Sequence, residues 1–135
     1  MKIGRHSSYA KTLLLWISLS CALLGCTSKS TISYQDMPMS EFIIGTWRVI
    51  SIVNADTGET LEIQAPTVFI SENELSYGDV IGAEYSFIEE DLMFVDNKRL
   101  KGGETWRLEK DGENLLVHQE FQGFRSTTTL ERVTR

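Results

Sequence analysis

From Ile44 to Val133 the chain is a succession of short β-branched and aromatic runs, each cut off by a turn sequence. No stretch keeps the 3.6-residue period of an amphipathic helix, although Asp36 to Phe42 has room for one or two turns. Ile44 to Asn54 is the longest run at the N-terminal side and stops at Asp56-Thr57-Gly58. Glu59 to Gln64 alternates, with Leu61 and Ile63 on one face, until Ala65-Pro66 interrupts it. Thr67–Ser71, Glu74–Tyr77, Ala83–Ile88 and Leu92–Val95 follow, with Tyr85 and Phe87 in register. Thr105–Lys110 and Glu113–Gln119 form the best hairpin, because Asp111-Gly112 between them tolerates the positive φ of a tight turn. Trp106 and Leu108 then share one face, and Phe124, Leu130 and Arg132 share one parity in the last run, Phe124–Val133. About eight strands at roughly 8–12-residue spacing predict an all-β domain, either an antiparallel sandwich or a closed barrel. Closure removes the exposed edges that long first and last strands would otherwise present.

The first 25 residues differ in kind. They carry Lys2, Arg5 and Lys11 and no acidic residue, followed by an apolar run from Leu13 to Leu24. That run is about 12 residues, roughly 18 Å as a helix, whereas a bilayer core of about 30 Å needs nearer 20. It reads as an export signal rather than a lasting transmembrane anchor. Leu23-Leu24-Gly25-Cys26 resembles the lipobox of bacterial lipoproteins, with Leu24 bulkier than the small residue often found there. The resemblance implies cleavage after Gly25, a diacylglyceryl thioether on Cys26 and acylation of the new amino terminus. Several acyl chains, at about 0.8 kcal/mol per buried CH₂, give near-permanent anchoring. Thr27 stands where Asp retains many such proteins in the inner membrane, so the resemblance implies the outer membrane, with the domain facing the periplasm. The expected organisation is a signal peptide over 1–25, a lipidated flexible tether over 26–40 and a β-barrel domain over 41–135.

Charge and cysteine usage narrow the function. All 19 acidic residues lie beyond Gly25 with only 10 of the 13 basic ones, a net charge near −9, which leaves nothing to neutralise a nucleic-acid backbone. Cys21 leaves with the signal and Cys26 carries the lipid. The domain therefore has no cysteine for a disulfide, a thiolate metal site or a thiol nucleophile.

Gly45-Thr46-Trp47, at the start of the first strand, resembles the Gly-x-Trp signature of lipocalins and related calycins. The resemblance spans about 90 residues, Ile44 to Val133, and implies an up-and-down β-barrel of about eight strands. Within that superfamily the Trp plugs the closed end and an Arg from the last strand packs over it, which places Gly45, Trp47 and Arg132 in a barrel-end motif. It also implies a small hydrophobic or amphipathic ligand. An eight-stranded barrel is just wide enough for its own side chains or for one small ligand. Tyr77, Tyr85, Phe87, Phe94, Trp106 and Phe124, with Phe121, are the aromatic candidates for lining a ligand cavity or simply filling the core. A filled barrel would instead suit an envelope protein-interaction module, an inhibitor or an assembly accessory.

Catalytic and metal chemistry lack a constellation. His118 lies mid-strand with no Cys or second His at ligand spacing, and Ser126 has no Gly-x-Ser-x-Gly elbow to expose it. Glu89-Glu90-Asp91 reads as a solvated turn without the spaced ligands of a calcium loop. Lys98-Arg99-Leu100-Lys101-Gly102-Gly103 is a basic loop, either a solvated turn or a rim element able to meet an anionic group. No cofactor, metal or catalytic residue is expected.

Overall fold

A computed structural model describes residues 33–134; the leader and Cys26, with the readings that rest on them, lie outside the described residues. The chain enters through one helical turn, α1 (Met39–Phe42), and continues into β1 (Gly45–Asn54) and β2 (Thr67–Ile70). β3 (Glu74–Tyr77), β4 (Val80–Glu89), β5 (Leu92–Val95) and β6 (Glu104–Asp111) follow, and then β7 (Asn114–Phe121) and β8 (Phe124–Thr134). Every strand pairs antiparallel with the next and β8 pairs with β1, so the sheet closes into an eight-stranded up-and-down barrel. Of the two architectures open to the strand pattern, the chain adopts the barrel. Its seam joins the two strands most exposed to edge-pairing, with Trp47 opposite Arg132, Val49 opposite Leu130 and Asn54 opposite Ser126.

Alternation builds the interior. Trp47 and Val49, Met93 and Val95, Trp106 and Leu108, and Leu115 and Val117 are buried pairs two residues apart, while Arg48, Arg107 and Glu109 between or beside them are exposed. Each such aliphatic side chain contributes about 1.5–3 kcal/mol on full burial. The two ends of the barrel are distinct. α1, Trp47 and Leu115 lie toward one end, closed by the N-terminal segment. The β1–β2 connection, the β5–β6 loop and the β7–β8 turn lie at the other, where β6 begins at Glu104 and β7 ends at Phe121.

Four local expectations are corrected. Glu59–Gln64 is not a strand: it makes one isolated bridge, Val53 to Thr60, and folds back along the upper half of β1. β2 covers only Gly45–Arg48 of β1, and the free edge above is served by the loop. Asn54 N–H donates to Glu59 O and Leu61 N–H to Ile52 O, both at 2.8 Å, and Val49 N–H donates to Pro66 O at 2.8 Å. Pro66, which has no N–H, stops the run from becoming a second ladder. The tether expected over 26–40 is packed from Tyr34 onward, because Met37 and Met39 are buried and Tyr34 packs against the core. β4 starts at Val80, before the expected Ala83, since Tyr77 pairs directly with Val80 across a two-residue turn. The β6–β7 turn is centred on Gly112-Glu113 rather than Asp111-Gly112. Asp111 pairs with Asn114, and Gly112 takes φ 62°, the positive value needed at the first central position of such a turn.

Candidate ligand cavity

The closed end is filled. Trp47 is 0 % exposed, and its indole N–H donates to Ile43 O at 2.7 Å. Phe42 packs 5.7 Å from the Trp47 ring, and Tyr34 packs edge-on at 6.0 Å from Phe42. The Arg132 guanidinium lies 4.2 Å from the Trp47 ring centroid and 5.1 Å from that of Phe42. Its Nη1 and Nη2 donate to Ile44 O (3.0 Å) and Phe42 O (2.5 Å). A second cation completes the cap. Lys110, on the inward parity of β6, donates to Tyr34 O (3.1 Å), Gln35 O (3.2 Å) and Met37 O, 5.3 Å from the Phe42 ring. Phe42 O ends the helical turn, Ile44 O follows it and the carbonyls of Tyr34, Gln35 and Met37 precede it, and these two side chains supply them with donors. Hydrogen bonds from charged donors are worth about 1.5–3 kcal/mol each, so the segment 34–44 is fixed across the barrel end.

The open half is hollow. A cavity of about 290 Å³ is walled by Val49, Ile52, Val68, Trp106, Val117 and Leu130. Its polar lining is Tyr77, Gln119 and Thr128, with Glu62, Gln64 and Ala65 of the folded-back loop at its mouth. Ligand pockets run from about 300 Å³ upward, so this one suits a small molecule and not a long lipid chain.

Beside the cavity Glu104 organises four donors. Oε1 accepts from Gln119 Nε2 at 2.9 Å and from Trp106 Nε1 at 3.3 Å. Oε2 accepts from Asn97 Nδ2 at 2.8 Å and from the Tyr77 hydroxyl, which also accepts from Asn97 at 3.1 Å. Four donors and no acceptor form the surroundings of an ionised carboxylate, whose roughly four lone-pair positions are thereby used. Asn97 is the one buried polar side chain among the described residues, and its Oδ1 accepts the Arg99 backbone N–H, so each of its ends is held. Burial, then the hydrogen bond to Glu104 and its charge, push the Tyr77 hydroxyl well above its ordinary range, so it stays a donor. With one N–H committed to Glu104, Gln119 has its amide oxygen and its second N–H left for other partners.

The residues singled out in the sequence divide among these places. Trp47 and Arg132 meet at the closed end, and Gly45 opens β1 there at φ 143°, paired with Ile70. Tyr77 and Trp106 line the cavity, their ring centroids 5.5 Å apart. Tyr85 and Phe87 share the parity of buried Ala83 but stand toward the closed end and do not line the cavity, packing edge-on to each other at 6.2 Å. Phe94 is corrected to the outer face, because Met93 and Val95 on either side of it take the inward positions. Phe124 is 44 % exposed at the rim, paired with Phe121 across the β7–β8 turn, and lines no part of this cavity.

His118 lies on the outside, its Nδ1 2.9 Å from Thr127 Oγ1 and its Nε2 2.9 Å from Glu109 Oε2. Asp91 and Glu89 are ion-paired to Arg107 at 2.9 and 3.9 Å. The basic loop sits at the open end, with Arg99 paired to Asp79 at 3.1 Å. Among the described residues no three His, Cys, Asp or Glu side chains gather to hold a metal ion. Glu104, Asn97, Gln119 and Thr128 were not anticipated. The available signal was parity: Glu104 is in phase with Trp106 and Leu108, and Gln119 with Leu115 and Val117, so polar residues occupy inward positions. No protein-family model, curated protein or solved structure matches the chain.

Proposed function

We propose that the protein is an envelope lipoprotein, anchored through Cys26, whose barrel binds one small amphipathic molecule in its open half. The observation that carries the reading is the 290 Å³ void with an apolar wall and a fixed polar side, set above a closed end where Trp47, Phe42 and Ile43 are fully buried. Pre-organisation supports it. Glu104 holds Tyr77, Trp106 and Gln119 in place before any ligand arrives, which lowers the ordering cost of binding. The interaction-module alternative calls for bulky inward side chains at every level of the barrel, and the void weighs against it. Envelope location rests on the basic, apolar and Gly25-Cys26 parts of the leader. Native mass spectrometry of the protein extracted from membranes tests the reading. A non-covalent small-molecule adduct is expected, and Val117→Trp, which fills the cavity from its wall, removes it. Absence of any adduct, together with failure of small amphiphiles to bind the extracted protein, overturns the proposal.

A further inference from the structure

Resting on that reading, we infer that the cavity selects by charge: it takes a short-chain amphiphile ending in an amine or hydroxyl and rejects one ending in a carboxylate. Twelve residues line the cavity, and the one charged side chain among them is Glu62 at the mouth. Behind the lining stands the Glu104 carboxylate, bonded to three of the lining residues, Tyr77, Trp106 and Gln119. A ligand head group therefore sits between two carboxylates, and no cation lines the space. The basic residues of the barrel interior, Lys110 and Arg132, are at the opposite end and bonded to backbone carbonyls. Arg99, near the mouth, is paired with Asp79.

The hydrogen-bonding groups point the same way. A carboxylate ligand needs donors, and three of the donors on this side are already turned to Glu104. Tyr77 donates to Glu104, as do the Trp106 indole and the Gln119 amino group. Gln119 keeps its amide oxygen as an acceptor along with one N–H, and Thr128 adds a hydroxyl that can accept or donate. An amine or alcohol finds acceptors here, whereas an anionic head group finds like charge. A 290 Å³ space is about 8 Å across if spherical, and at an effective dielectric of about 20 a like charge at that distance lowers affinity more than tenfold. Fatty acids, the commonest short amphiphiles, are thereby excluded although their chains suit the wall.

Three ligands with one chain separate head group from tail. Isothermal titration of the full chain at neutral pH with 1-octylamine, 1-octanol and octanoate, each below its aggregation concentration, reads the selection directly. The amine and the alcohol are each expected to bind at least about tenfold more tightly than octanoate. Octanoate within tenfold of either overturns the charge selection while leaving the ligand-binding reading intact. No heat from any of the three overturns both. Glu62→Lys, an exposed change on the mouth loop outside the barrel ladder, supplies a second arm: octanoate binding should rise at least threefold while amine binding falls. An unchanged ratio in this variant counts against the selection.

Discussion

Replacing Arg132 by Met keeps most of the side-chain length and removes the guanidinium. Two hydrogen bonds, to Ile44 O at 3.0 Å and Phe42 O at 2.5 Å, are lost together with the stacking on Trp47 at 4.2 Å. Each charged hydrogen bond contributes about 1.5–3 kcal/mol and a well-placed cation–π contact about 0.5–2 kcal/mol. Arg132 is half-buried, so water reaching the freed carbonyls offsets part of this. The net cost is about 2–4 kcal/mol, a large fraction of the 5–15 kcal/mol that holds a domain of this size. A domain near 100 residues loses about 4–8 °C per kcal/mol, so the melting temperature should fall by roughly 8–32 °C. Urea unfolding followed by tryptophan emission gives the free energy. A cycle with Trp47→Phe isolates the stacking, with an expected coupling of about 0.5–2 kcal/mol. Arg132→Lys should recover less than half of the loss, because an ammonium does not reproduce the planar fork that serves two carbonyls while stacking. A loss under about 0.5 kcal/mol, the level of an ordinary surface substitution, with strict additivity in the cycle, refutes the closed-end account.

Other consequences are as direct. The Tyr77 hydroxyl is raised in the fold above the value near 10 of the unfolded chain, so its contribution to stability is complete below pH 10. That contribution fades as pH climbs from there through the folded value, and Tyr77→Phe should flatten this part of the stability–pH curve; an unchanged alkaline limb would remove Tyr77 from the network. Gly103 takes φ 73°, and a Cβ there would come within 2.5 Å of the Phe94 ring and 2.7 Å of Val95 O. Gly103→Ala should cost about 1–3 kcal/mol in thermal unfolding, and a neutral result would mean that the β5–β6 loop does not lie on β5 as described. Cys26→Ser should abolish the acyl mass increment and release the protein from the membrane fraction with its barrel folded; continued membrane association would contradict lipid anchoring.

How much of this was legible follows from which signals are local. Strand alternation is written residue by residue, so Trp106 and Leu108 on one face and Arg107 and Glu109 on the other could be placed without coordinates. The need to hide long terminal strands pointed to closure, and β1 and β8 form the seam. Parity put Arg132 on the inward side of the last strand, where it meets Trp47. Pairing is not local, and there the reading fell short. Glu59–Gln64 alternates like a strand, yet only one bridge is available to it, so it becomes the wall of the cavity mouth. The polar residues before α1 suggest a tether, but Lys110, some 70 positions away, binds their carbonyls and holds them down. Aromatic character does not tell inside from outside: Phe94 has the composition of a cavity residue and the parity of a surface one. Glu104, Asn97 and Gln119 each look like ordinary polar strand or loop residues until the barrel brings them onto one carboxylate.

The central claim is that a small amphiphile enters the open half of the barrel and leaves the closed end untouched. Two of the three indole N–H groups report separately on those places, since Trp106 Nε1 bonds to Glu104 beside the cavity and Trp47 Nε1 bonds to Ile43 O in the closed end. A ¹H–¹⁵N titration with 1-octanol, which carries no charge, should shift the Trp106 indole resonance in a saturable way and leave that of Trp47 in place. A saturating titration that moves neither resonance, or moves Trp47 alone, contradicts the account.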